Sequence, residues 1–92
     1  MYVLSAKLTF HIPGAGSLKD KRQVRRSLIE KAKQRFNVSI SEVDVQDVHQ
    51  KLVLGIAVVS SEATHAENSL DEIIRFLENN PNAELTEIVK EG

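Results

Sequence analysis

Residues 52–59, LVLGIAVV, form an unbroken apolar run of β-branched and aliphatic side chains interrupted only by Gly55. Both parities are apolar, the pattern of a strand lying in the middle of a sheet and buried on both faces. Towards the C-terminus, Ala63, Ala66, Leu70, Ile73, Ile74 and Leu77 recur at helical spacing, with Ser60 or Ser61 as a cap. Asn79, Asn80 and Pro81 stop that helix, and 83–90 reads as a final strand. Towards the N-terminus, QDVHQK at 46–51 reads as a hairpin loop after a strand at 38–45. Within that strand Val38 and Ile40 are out of phase with Val43 and Val45, so it needs a bulge near Ser41–Glu42 or apolar residues on both faces. Leu18, Val24, Leu28, Ile29, Ala32 and Phe36 then mark a first helix, ended by Asn37. At the start, Tyr2, Leu4, Ala6, Leu8, Phe10 and Ile12 alternate with Ser5, Lys7, Thr9 and His11, a strand with one buried face.

The order is βαββαβ. Right-handed crossovers turn that order into an α+β, ferredoxin-like fold: a four-stranded antiparallel sheet with both helices on one face and the first and third strands central. Residues 1–92 are read as a single such domain, long enough for one core without metal or disulfide support. The chain has no cysteine, which removes disulfides, thiol catalysis and thiolate metal sites. MYVLSAKLTF lacks the basic and continuously apolar regions of a signal peptide, and no apolar run approaches the ~20 residues that cross a bilayer. The expectation is a cytoplasmic protein with no membrane partner.

Charge is segregated. Residues 11–35 hold eight of the twelve Lys and Arg residues against Asp20 and Glu30, a local charge of +6. Residues 62–92 carry eight acids against Arg75 and Lys90, a local charge of −6, so the formal net charge of −1 conceals a dipole. On the first helix, Lys19, Arg22, Arg26 and Lys33 fall within about a 60° arc beside the apolar stripe, spaced about 5–6 Å along the axis. That spacing suits phosphate contact, although Lys and Arg also serve as ordinary solvated helix formers. Lys31 and Arg35 lie on the other side. Lys21 and Arg25 fall inside the apolar arc and are expected to run their methylenes along the core edge with charges in water.

HIPGAGSLKDKR (11–22), RFNVSISEVD (35–44), GIAVVSS (55–61) and NNPNAEL (79–85) together resemble the YlxP-like family of small bacterial proteins. The resemblance covers nearly the whole chain and implies a ferredoxin-like fold, but it implies no activity, since the family's function is unknown. Relatives are often encoded beside translation-initiation and ribosome-maturation factors, which implies an RNA or ribosome partner by association. Arg25 departs from the pattern, occupying a place where an aliphatic residue is expected.

Other sites were weighed on their residues. Gly14, Gly16 and Ser17 precede the first helix and could hold an anion on free N–H groups. The turn has neither GxxxxGK[ST] nor GxGxxG spacing, so a sharp turn capped by Ser17, with Asp20 completing a capping box, is the simpler reading. Acylphosphatases share the topology, and that similarity implies an arginine at the first loop and an asparagine at the second strand. Arg22 and Asn37 are the matching types, but the arginine-bearing loop is absent. His11, His49 and His65 have no metal-ligand spacing, and neither metal nor cofactor is expected. Glu42 and Asp44, two apart, are read as one face of an edge strand protected by charge.

On the sheet face away from the helices the first strand offers Val3, Ser5, Lys7, Thr9 and His11, and the third strand has no aromatic, so a base-stacking platform is not expected. Val43, Val45, Val53, Ala57 and Val59 instead make an apolar patch suited to a homodimer. The favoured expectation is a non-enzymatic accessory protein touching structured, ribosomal RNA through helix 18–35, with no DNA specificity inferred. A self-associating structural or small-ligand sensor module is the alternative, and an acylphosphatase-like hydrolase the third.

Overall fold

Period-two alternation in the first strand and the long apolar run in the third drive the two to pair along their whole length. The computed structural model describes residues 1–91. β1 (Tyr2–His11) and β3 (Lys51–Ser60) are antiparallel, in register from Tyr2↔Ser60 to His11↔Lys51. β2 (Ser39–Asp44) adds to the outside of β3 and β4 (Glu84–Glu91) to the outside of β1, both antiparallel, in the order β2-β3-β1-β4. α1 (Leu18–Arg35) and α2 (Ala63–Glu78) cover one face. Ala6, Leu8 and Phe10 from β1, Leu52, Leu54, Ile56 and Val58 from β3, and Leu28, Ala32, Ala66, Leu70, Ile73 and Leu77 from the helices form one continuous core. The expected fold is therefore the observed one.

The bulge in β2 falls one step later than anticipated. Glu42 pairs with Leu54 and Asp44 with Val53, leaving Val43 as the extra residue. A strand's side chains alternate, but an inserted residue resets that alternation. Glu42 consequently keeps the inward phase of Ile40, and Asp44 moves to Val53 on the opposite face. The expectation that Glu42 and Asp44 share one protective face is thus overturned. A second, unanticipated bulge follows Thr9 on the β1–β4 side, where the Thr86 hydroxyl donates to the Thr9 carbonyl at 3.2 Å. The cap of α2 also differs: Glu62 is the N-cap residue without a side-chain bond, and Ser60 Oγ, two residues earlier, accepts from the Glu62 N–H.

The open face is flatter than the sequence suggested. Val53 is only 3% exposed, held in mid-sheet between Thr9 and Asp44, so it adds nothing to a docking surface. Val45 lies beyond the end of β2, in the turn, and is half-buried. The most exposed valines of this face are the cross-strand pair Val3 and Val59 with Val43 on the edge strand, and Val89 on β4 is less exposed.

Val43 explains Gly55. A Cβ on Gly55 would lie 2.8 Å from Val43 Cγ1, closer than carbon atoms pack. Valine has one strongly preferred side-chain rotamer and cannot easily yield. Gly55→Ala is expected to cost about 1–2 kcal/mol through overpacking. Val43→Ala in the same chain should restore most of it, and urea denaturation of the two single variants and the double measures the coupling. Additive effects would show that the contact is not the reason for the glycine.

Candidate functional site

The turn into α1 is built by its own residues. The Ile12 carbonyl accepts from the Ala15 N–H at 3.1 Å, which tucks Ala15 into the core. Ser17, with extended backbone angles, is the N-cap, and its Oγ accepts from the Asp20 N–H at 3.2 Å. Asp20 is too short to return to the Ser17 N–H and accepts instead from the Gly16 N–H at 3.0 Å. The anion at this helix N-terminus is thus the chain's own carboxylate, which satisfies the positive end of the helix and repels a phosphate. The turn at Gly14, Gly16 and Ser17 is thus the Ser17-capped turn of the simpler reading, and the weaker anion-site reading finds its place taken by Asp20. A recess of about 430 Å³ lies beside it, between Gly14, Asp20, Gln23 and Ser27 and the loop at Pro81 and Asn82.

Lys19, Arg22, Arg26 and Lys33 are all exposed on α1. Among the described residues none of the four has a carboxylate within 4.0 Å. Their spacing is less even than expected: the steps from Lys19 to Arg22 to Arg26 are about 4.5 and 6 Å, but Lys33 lies a further ~10.5 Å along the axis.

The two basic residues in the apolar arc behave differently from the expectation. Lys21 is 1% exposed, its charge taken out of water rather than left in it. Its ammonium donates to the Val45 carbonyl at 2.7 Å and stands 2.8 Å from Glu42 Oε2. That second contact lies off the direction of a hydrogen bond, so Oε2 is held by charge without a directed donor. Arg25 closes the other side, Nη1 on Glu42 Oε1 at 3.0 Å. Inward-facing Glu42, 7% exposed at its side chain, thus pairs with two cations of α1 and ties the helix to β2. Val45, a β-branched residue at φ 45°, holds a conformation that costs about 1–3 kcal/mol and persists where surroundings enforce it. Here Asp44 Oδ1 accepts from its N–H at 2.8 Å, while Lys21 Nζ and the Val48 N–H both donate to its carbonyl.

Arg22 and Asn37 are not brought together. Arg22 sits in the first turns of α1, about 20 Å of helix separates it from Arg35, and Asn37 follows the C-cap Phe36. The pair that the acylphosphatase likeness needs is therefore unassembled. His11, His49 and His65 are all exposed, and among the described residues no group of three or more His, Cys, Asp or Glu side chains is placed to hold a metal. No helix among them is long and apolar enough to cross a membrane.

One cluster escaped the sequence reading because Phe76 stands off the second helix's core stripe. Phe36 and Phe76 meet edge to face, ring centroids 5.4 Å apart and planes at 73°. The Arg35 guanidinium lies over both, 5.8 Å and 5.1 Å from their centroids. With Glu72, Arg75 and Asn79 these residues line an open notch of about 630 Å³.

The architecture is that of ferredoxin-fold proteins. The chain superposes on the de novo designed protein LFR1 1, described as having a ferredoxin fold, with a TM-score of 0.60 and 18% identity, over 100% of this chain and 87% of that one. The de novo designed protein Foldit4 matches with a TM-score of 0.60 and 13% identity, over 99% and 98%. At such identities the likeness speaks to the fold alone. The chain belongs to the family described as protein of unknown function DUF503, whose model matches residues 3–90. It is 42% identical over 72 residues to the uncharacterized protein YlxP of Bacillus subtilis (strain 168), 78% of each chain being covered.

Proposed function

We propose that this protein is a non-enzymatic accessory factor that binds the phosphate backbone of structured RNA, ribosomal RNA above all, through α1. One observation carries the reading: α1 separates its cations into two sets. Lys21 and Arg25 share one internal acidic partner, Glu42, whereas Lys19, Arg22, Arg26 and Lys33 stand exposed without acidic partners among the described residues. Unpaired cations along one helix flank release counterions when they meet phosphates. The carboxylates of the chain are concentrated instead in residues 62–92. Fluorescence anisotropy with a labelled ribosomal stem-loop tests the reading. Four phosphate contacts give a log–log salt slope of about −3 to −3.5, so raising salt from about 100 to 400 mM should weaken binding roughly 50- to 150-fold. Salt-independent binding would refute it.

A second reading rests on the open sheet face, where Val3, Val43 and Val59 are 53%, 51% and 56% exposed. Burial of such side chains against a second copy would recover part of about 1.5–3 kcal/mol each, by a self-complementary two-fold contact. Val59→Lys should then shift sedimentation towards monomer without unfolding the domain. A wild-type protein that is already monomeric at high micromolar concentration refutes this second reading.

A further inference from the structure

We infer that the notch where the C-terminal turns of the two helices meet is a binding site for an unstacked nucleobase. Its floor is aromatic on two sides, since Phe36 and Phe76 are only half-buried and stand at 73° to one another. Arg35 lays its guanidinium against that aromatic corner, 5.1 Å from the Phe76 centroid. Guanidinium planes and aromatic rings are the two surfaces on which proteins stack single-stranded bases. The rim is polar: Arg75 and Asn79 can donate to a base edge, and Asn79 and Glu72 can accept from one. Neither Arg35 nor Arg75 has a carboxylate within 4.0 Å among the described residues, although Glu72 lines the same notch.

Stacking surface, rather than charge, selects a base over a bare anion. Arg35 is the last residue of α1 and Asn79 the C-cap of α2, so two negative helix ends converge here. Lys33 and Arg35 in one last turn and Arg75 in the other outweigh those ends, so phosphate is attracted here as well. A planar ring is distinguished from it by stacking on the aromatic corner. The sheet, which in related topologies carries stacked bases, has no Phe, Tyr or Trp on the open face of its two central strands, only His11 at the end of β1. The helical layer supplies stacking surface in its place.

The base itself could belong to a free nucleotide or to an RNA loop. The choice of RNA as its source rests on the proposed function of α1; the stacking chemistry does not. The test is a nuclear magnetic resonance titration of the full chain. Adenosine 5′-monophosphate at about 10 mM is expected to shift the Phe36 and Phe76 ring signals and the Arg35 side-chain NH, and ribose 5-phosphate is not. Arg35→Ala, at an exposed residue and with an amide spectrum expected to match the wild type, and Phe76→Leu should each remove the response. In the second arm, a hairpin with an unpaired purine loop should bind about 5- to 100-fold more tightly than the same stem as a plain duplex. Arg35→Ala should abolish that difference, and Arg22→Glu/Arg26→Glu should weaken both RNAs alike. A nucleotide response in a protein that binds no RNA supports the notch as a free-nucleotide site and refutes the reading of α1. Equal shifts with ribose 5-phosphate, or no shift with nucleotide and no preference for the loop, overturn the notch and leave the reading of α1 standing on its own salt dependence.

Discussion

Reversing Arg22 and Arg26 to Glu is expected to abolish RNA binding while leaving the fold intact. Each reversal removes one phosphate contact and adds one repulsion, and together they cut the local charge of residues 11–35 from +6 to +2. Both side chains are exposed and outside every ion pair found among the described residues, so neither carries packing energy. Loss of affinity should exceed about 100-fold at ~100 mM salt, with Arg22→Ala/Arg26→Ala a milder version whose salt slope is flatter by about 1.5–2. The amide spectrum of each variant should match the wild type. RNA affinity that survives the double reversal unchanged would end the proposal, because no other basic set of this kind lies on α1: Lys21 and Arg25 are held by Glu42, and Lys31 and Arg35 lie on the flank towards α2.

Lys21→Met is expected to cause a large loss of stability, on the scale of truncating a buried core residue. The ammonium is buried with Glu42, and removing one partner strands a desolvated charge, which costs about 3–5 kcal/mol. Arg25 alone cannot compensate, being partly in water and bound to the other oxygen. The Val45 carbonyl also loses its 2.7 Å donor, so the strained residue at the end of β2 is released. For a domain of this size such a loss lowers Tm by roughly 12–40 °C. Lys21→Met combined with Glu42→Leu should recover most of it, since an apolar pair of similar volume needs no desolvation. Thermal and urea unfolding of the two singles and the double decide the matter. A Lys21→Met protein as stable as the wild type would show that the buried pair contributes nothing net.

The two changes probe different cations a few residues apart, and the contrast between them is diagnostic. Arg22 and Arg26 should affect binding without stability, whereas Lys21 should affect stability first. The sequence placed all of them on one helix and put Lys21 in the apolar arc, which was a legible warning that its charge would need a partner. It did not name that partner. Glu42 shares the parity of Ile40 and was therefore legible as inward-facing, yet Asp44 has that parity too. Only the position of the bulge at Val43 separates them.

The central pairing of β1 with β3 follows from the order of the elements and the handedness of crossovers. That order and most of the core follow from apolar periodicity within single segments, a local property of the sequence. The exposure of Lys19, Arg22, Arg26 and Lys33 was fixed in the same way, by their angle from the apolar stripe. What only the tertiary structure decided depends on atoms far apart in the chain. Glu42 reaches Lys21 across α1 and β2, Val43 reaches across to Gly55, and Asp20 takes the anion place that the glycine turn had left open. Phe36 joins Phe76 and Arg35 only because the helices end beside one another. A helical or strand period gives the direction in which a side chain leaves the backbone; the length and angle at which two elements pack determine what it meets there.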